Sequence, residues 1–474
     1  MRRTLNGAAA IKRTSSACLD LFAIIGAARQ HPAQVVQLFE RAYKAEPAMA
    51  LRIALWARDA RGGAGERTTF RNILHYLERR HPEVAAQLVS SGIVQQLGRW
   101  DDLFGLQGEA VWPHVCEQIR RGLLSMDRLL AKWLPRNGPL AARLRTRFDF
   151  TAQQWRSVLA QLSSTVEQKM CARRWDEINF AHVPSVASAR YQATFRRQDE
   201  YRYSDYINEV SAGRASMHAG AVFPHDVLKA ASVDDLAATA QWSELPRPAI
   251  AGDVLPLCDV SGSMERRVSG QTTAMDICIA IGLLLSESLT GPFRDQVLTF
   301  TDVPSWHTVT GNTLGERAAN LRRARWGRST NIQRAFDAIL ARARVAGPDF
   351  VMPKVLLVLS DMEFNQAHRA GKLNHTVMQR KFAAAGFDVP TLVYWNLNGR
   401  LGNLPAGDQP GVVLVSGYSP KVADVLLAGN FDALTPEQVM RHAVSAPRYD
   451  VPGLTAARAA DDNKRGVGAA AQQT

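Results

Sequence analysis

Val254–Met264 reads VLPLCDVSGSM, an apolar run of five residues followed by a carboxylate and two hydroxyls at Asp259, Ser261 and Ser263. A short apolar run of this kind fits a strand buried on both faces. The loop that leaves it runs toward a helical stretch at Thr273–Ser288, which puts its oxygen-bearing side chains at the carboxyl edge of a sheet. The same grammar recurs outward: QVLTF (Gln296–Phe300), KVLLVLS (Lys354–Ser360), TLVYW (Thr391–Trp395) and VVLVS (Val412–Ser416) read as further strands. Helical stretches at Asn331–Arg344, His375–Ala385, Pro420–Ala428 and Pro436–Ala443 lie between or after them. This alternation predicts an α/β unit with a mostly parallel, doubly wound sheet.

Upstream the period changes. From Cys18 to about Ala240 apolar residues recur at three- and four-residue spacing, broken by Gly, Pro or Asn turns, as in PAQVVQLFERAYK and RTTFRNILHYLERR. The predicted fold class is therefore α + α/β: an N-terminal all-α helical-repeat arc or ring, followed by the doubly wound domain. The proline-bearing connection around Gln241–Pro248 marks the boundary, giving residues 1–245, 246–453 and a flexible tail at 454–474 that lacks an apolar period.

The 474-residue length suits two domains, and 46% apolar with 21% charged residues excludes a mainly disordered chain. Apolar runs such as Ile279–Leu285 fall short of the roughly 20 residues that span a bilayer, and no signal-peptide core follows the first residues. Five scattered cysteines without CxxC pairs predict free, mostly buried thiols, so a cytoplasmic location is expected and a cysteine zinc site is not. The net charge of +13 is uneven: residues 1–250 hold 34 Lys+Arg against 24 Asp+Glu, residues 251–474 hold 23 against 20. Arginine outnumbers lysine 47 to 10, which suits bidentate phosphate contacts and makes nucleic acid a candidate partner.

Asp259, Ser261 and Ser263 stand at i, i+2 and i+4 in a turning loop, and two later positions add oxygen donors. Thr330 precedes a helix in WGRSTN, and Asp361 follows a buried strand in VLLVLSDMEF. Two carboxylates and three hydroxyls, without His or Cys, fit Mg²⁺ or a similar hard divalent cation. The bland reading of Asp-x-Ser-x-Ser is a helix cap.

These residues resemble the metal-ion-dependent adhesion site of von Willebrand factor A domains. The resemblance implies Ser261, Ser263 and Thr330 as direct ligands, Asp259 and Asp361 as charge-balancing groups bound directly or through water, and an open position for an acidic group of a partner. It does not imply bond-making chemistry.

In the first half, WARDARGGAGERTTF (Trp56–Phe70), LGRWDDLF (Leu97–Phe104), LLAKWLPRNG (Leu129–Gly138), EQKMCARRWDEINF (Glu167–Phe180) and FPHDV (Phe223–Val227) together are similar to a largely uncharacterised family. It is known from phages, plants and fungi and joins a helical-repeat region to a von Willebrand A-like domain. The similarity runs from about Leu19 to Val451. In plan that family resembles the Ro autoantigen ribonucleoproteins, whose helical TROVE module binds RNA. The resemblance implies an RNA-binding surface, for which the candidates are Arg58, Arg61, Arg67, Lys132, Arg136, Lys169, Arg173 and Arg174, with Trp133 and Trp175 as stacking platforms. Pairing of these cations with nearby carboxylates, Arg58 with Asp59 or Glu66 and Arg174 with Asp176, stays open.

Weaker signals do not change this expectation. The glycine-rich Gly62–Arg67 stretch lacks the Gly-Lys-Ser/Thr ending of a nucleotide loop, and Cys171 with His182 has no third partner for a thiol nucleophile. A phosphoryl-transfer site on Asp259 and Asp361 would lack an activating Lys or His. The expectation is a non-enzymatic, Ro-like RNA-binding scaffold with a Mg²⁺-bearing A domain. The alternative is an adaptor that captures an acidic residue of a partner protein without RNA.

Overall fold

The computed structural model describes residues 2–4, 6–248, 250, 253–299, 303–324, 331–365, 374–399, 403–423 and 434–455. The first half is helical, from Ala17–Ile25 and Pro32–Ala45 through to Asp235–Ser243. Several of these helices open on proline, at Pro32, Pro47, Pro82, Pro139 and Pro224, where the missing N–H would be unpaired in any case. Neighbouring helices pack in chain order as far as Ala152–Leu162, and the last ones, Pro224–Ala230 and Asp235–Ser243, lie against helices of the second half.

The second half holds a six-stranded sheet. In chain order its strands are β1 (Val254–Cys258), β2 (Gln296–Thr299), β3 (Ser305–Thr308), β4 (Val355–Ser360), β5 (Thr391–Asn396) and β6 (Val412–Ser416). Across the sheet they run β6-β5-β4-β1-β2-β3, all parallel except β3, which pairs antiparallel with β2 at the edge. The five strands expected from the sequence are present, ending at Thr299 for the second because Phe300 lies outside the described residues. The sequence reading missed β3, whose SWHT has no apolar run, being partly exposed at an edge. Pro256 sits in a central strand, yet β2 joins the ladder only at Leu257 and Cys258, so on that side pairing begins past the residue that has no N–H to donate.

The predicted helices Thr273–Ser288, Asn331–Arg344, His375–Ala385 and Pro436–Ala443 are found at Ala274–Ser288, Ile332–Ala346, Asn374–Ala384 and Pro436–Ala443. Most of the stretch predicted at Pro420–Ala428 lies outside the described residues, as do residues 456–474 of the expected tail. Leu454 and Thr455 are part of the fold: the Thr455 hydroxyl donates to the Tyr449 carbonyl at 3.0 Å.

The boundary near residue 245 marks a change of secondary structure and not of packing. Buried apolar side chains of both halves, among them Phe22, Phe39, Trp56, Leu257, Trp395 and Tyr449, form one contiguous core. A smaller core, with Phe180, Phe195 and Tyr203, serves the later helices alone. Residues 2–11 belong to the sheet side: they fold back as a two-stranded hairpin, and Ile11 and Leu404 exchange backbone hydrogen bonds of 2.8 and 3.2 Å. The first long helix packs on β6 so closely that Gly26 N donates to Ser416 Oγ at 2.9 Å, and a Cβ at Gly26 would lie 2.1 Å from the Ser416 carbonyl oxygen. Gly26→Ala should therefore force the helix off the sheet edge. We expect a loss of at least about 1–3 kcal/mol, the usual cost of overpacking, in urea unfolding monitored by circular dichroism. Unchanged stability would mean that this contact is not tight in solution.

Candidate metal centre and basic surface

β1 and β4 are neighbours from which the chain departs in opposite directions, so the crevice at their carboxyl ends is the switch point of the sheet. Asp259 follows β1 there and Asp361 follows β4. The backbone of Asp259 is still held to the sheet, its N–H donating to the Leu359 carbonyl at 3.0 Å. Its carboxylate accepts from Ser261 N at 3.0 Å, which turns the loop, and from Ser360 Oγ at 2.6 Å. The turn brings the Ser261 and Ser263 hydroxyls within 3.0 Å of each other, with Ser263 beside the Asp361 carboxyl, which it helps to hold down.

Asp361 accepts from Glu363 N at 3.2 Å through one oxygen, while the other, Oδ2, is buried without a partner among the described residues. An oxygen left in this state is costly unless something outside the chain satisfies it. The next residue, Met362, has a buried side chain and φ of 64°, a left-handed conformation that costs a non-glycine residue energy and that persists at functional sites. Burial pushes the Asp259 carboxyl up from the ordinary aspartate range. Burial and the neighbouring Asp259 push Asp361 up to about 7. A divalent cation between them would remove both causes.

Four of the five expected ligands thus gather at one point, and the fifth, Thr330, lies outside the described residues. The donors are hard oxygens, and one of them is a buried carboxylate oxygen without a partner among the described residues, so the residues present fit a hard divalent cation. Among the described residues no three His, Cys, Asp or Glu side chains gather, so a cation here would depend on the serine hydroxyls as well as the two aspartates.

Two contributors were missed in the sequence. Ser360 orients Asp259, and its only signal is that it directly precedes Asp361 at the strand end. Glu363 is buried beside Asp361, where Asn403 Nδ2 donates to its Oε1 at 2.6 Å and Asn6 Nδ2 donates to its carbonyl at 2.7 Å. Thr4 Oγ1 reaches the Phe364 carbonyl at 2.6 Å, so the N-terminal hairpin braces the loop that carries Asp361.

The basic candidates divide. Arg58 is a correction: it is buried, and its partner is neither Asp59 nor Glu66 but Asp102, at 2.7 Å. A guanidinium consumed in this way is unable to meet a phosphate. Asp59 instead pairs with Arg448 at 3.0 Å and accepts from Tyr449 OH at 3.0 Å. Glu66 is taken by Arg29. Lys132 pairs with Glu167 at 2.9 Å, Arg136 donates to Ser163 Oγ at 3.0 Å and Lys169 to the Glu177 carbonyl at 2.7 Å, all half-buried. Arg61, Arg67, Arg173 and Arg174 are exposed. Arg174 has Glu177 at 3.3 Å, not Asp176. Of the two expected platforms, Trp175 packs partly into the smaller core, and Trp133 lies under the Arg99 guanidinium at 5.1 Å. Cys171 is exposed, and the other four cysteines are buried and free.

With this geometry in hand, similarity to other proteins can be placed on the fold. Residues 253–453 match a domain of unknown function, DUF7788, and residues 4–101 and 114–250 match a second, DUF2828. An uncharacterised protein of Acanthamoeba polyphaga mimivirus is 28% identical over 504 residues, covering 93% of this chain and 86% of its own length. The Ro (RSR) protein of Deinococcus radiodurans, known from a crystal structure, aligns over 88% of this chain and 92% of that one at 15% identity. Its TM-score of 0.33 is too low to bear on fold or function. No helix among the described residues is long and apolar enough to cross a membrane.

Proposed function

We propose that this chain is a non-catalytic RNA-binding scaffold with the plan of a Ro ribonucleoprotein. Its helical half holds RNA, and its sheet domain is of the von Willebrand factor A type, binding Mg²⁺ and, through it, an acidic group of a partner. The observation that carries the metal assignment is the buried Asp259–Asp361 pair at the switch point, with Asp361 Oδ2 lacking a partner among the described residues and two serine hydroxyls beside it. When bound, the ion would offer one open position to an acidic ligand. Ser261, Ser263 and Thr330 would hold it, with Asp361 and Asp259, the latter fixed by Ser360, balancing its charge directly or through water.

The two carboxylates have serine hydroxyls and backbone N–H groups as their hydrogen-bond partners, which favours ligation over acid–base work. The RNA assignment is supported by the basic excess of residues 1–250 and by the exposure of Arg61, Arg67, Arg173 and Arg174. A cytoplasmic location belongs to the same proposal.

Filter binding with structured and single-stranded RNA at several salt concentrations tests the reading. We expect binding that weakens steeply with salt, and an Asp259→Ala variant that keeps RNA affinity while losing Mg²⁺-dependent stabilisation. Weak binding without a salt slope would remove RNA from the assignment. Cleavage of labelled RNA in Mg²⁺ would replace a scaffold by an enzyme.

A further inference from the structure

Four arginines surround Asp101 and Asp102 near the start of the helix Thr68–Arg80. Two are neutralised: Arg58 pairs with Asp102 at 2.7 Å, and Arg71 pairs with Asp101 at 2.8 Å and Asp102 at 2.7 Å. The other two are not. Among the described residues neither Arg67 nor Arg99 forms an ion pair, although Asp102 accepts the Arg99 backbone N–H at 2.9 Å. Arg99 is half-buried, and desolvation together with the positive charges of Arg67 and Arg58 pulls it below the ordinary arginine range. The nearby helix end adds to the excess: Arg67 occupies the N-cap position, no side chain caps the helix, and its first turn has no acidic residue.

Arg99 is nevertheless fixed in place. Its guanidinium carbon lies over the Trp133 ring at 5.1 Å from the centroid, a cation–π contact that holds the charge at this place. A partly desolvated, fixed and unneutralised cation, beside a second free arginine, is the arrangement that takes a phosphate.

We propose that Arg99 and Arg67, with Trp133 as the shelf beneath Arg99, form a contact site for the phosphodiester backbone of single-stranded RNA. The inference rests on the RNA-binding reading above and assigns it to a place in the fold: Arg99 over the end of the helix Arg128–Trp133, with Arg67 at the N-cap of the helix Thr68–Arg80. RNA is favoured over an acidic peptide because exposed arginines at positions 61, 173 and 174 belong to the same half, whose charge excess is general.

The test is fluorescence anisotropy of a labelled 20-nucleotide single-stranded RNA across a salt series, with the full chain. Arg99→Ala should weaken binding about tenfold, as expected for loss of one charge-assisted contact. It should also lower the slope of log affinity against log salt by about 0.7. Arg67→Ala, at an exposed position, should do the same, and Arg99→Lys should retain part of the affinity because it keeps the charge and loses the fork. Arg120→Ala, which removes a cation already paired with Glu117 at 2.8 Å, should change neither quantity. Wild-type binding that survives unchanged in both Arg99→Ala and Arg67→Ala overturns the site and leaves the general reading standing. Absence of salt-dependent binding in the wild type overturns the general reading as well. Displacement of the RNA by polyglutamate at equal charge would overturn the choice of a phosphodiester ligand.

Discussion

Replacing Arg29 by methionine should cost the protein about 3–5 kcal/mol of unfolding free energy at pH 8, as is usual when a buried ion pair loses one partner. Glu66 is fully buried, and Arg29 meets both of its oxygens, through Nε at 2.6 and 2.8 Å and through Nη2 at 2.6 Å. The same guanidinium lies 4.5 Å from the Tyr418 ring and 5.8 Å from that of Phe223. Three parts of the chain meet there: the first helices, the segment where the helical half returns, and the loop after β6. Methionine keeps much of the volume and removes the charge, leaving a carboxylate with no water.

Burial pushes the Glu66 carboxyl up even with Arg29 beside it, and without Arg29 that push is unopposed. A carboxyl raised in the folded state favours folding below its unfolded value and loses that contribution as pH rises through the folded one. The deficit of the variant should therefore be smaller at pH 5 than at pH 8. Urea unfolding at the two pH values measures it. A loss below about 1 kcal/mol at pH 8, or one independent of pH, would show that the pair does not hold this junction.

The second large effect is a reversal of pH dependence by metal. Asp361 ionises at about 7 in the fold, against about 3.9 in an unfolded chain. Its sign is that of a raised carboxyl: without metal, its contribution to stability is full near pH 4 and is lost as pH climbs through 7. A divalent cation competes with that proton, so Mg²⁺ should stabilise little at pH 5 and strongly at pH 8. At a concentration about 100 times its dissociation constant the gain is about 2.7 kcal/mol.

Asp361→Asn should abolish the Mg²⁺ effect and remove Asp361's share of the pH slope, leaving that of buried Asp259, while the metal-free protein at pH 8 stays at least as stable as the wild type because a repulsive buried charge has gone. Thermal unfolding with Mg²⁺ or a chelator, at both pH values, distinguishes these outcomes. Equal Mg²⁺ stabilisation of wild type and variant would place the cation elsewhere.

How much of this was legible in the sequence follows from the range of the interactions. β1, β4, β5 and β6 are buried on both faces, so their apolar runs carry their own signal. The carboxylates stand out because each directly follows such a run. Edge strand β3 is exposed on one side, and nothing local separates SWHT from a loop. In the sequence Arg58 stands either as a phosphate contact or as a partner of Asp59 or Glu66, yet its carboxylate lies 44 residues further on, and only packing brings Asp102 under it. Arg99, in turn, looks in the sequence like a residue with two adjacent aspartates to pair with. Both are taken by other arginines, and among the described residues the Arg99 side chain forms no ion pair.

The order of elements and the chemistry of the candidate metal centre are properties of the chain as written, because strand burial and the Asp-x-Ser-x-Ser loop are local and periodic. Which cations are spent and which stay available, how the first helices seat on β6, and how residues 2–11 brace the Asp361 loop were decided only in three dimensions. Such pairings join groups 44 residues apart at Arg58 and Asp102 and 390 apart at Gly26 and Ser416, and their partners are chosen by shape and desolvation, for which no local pattern exists.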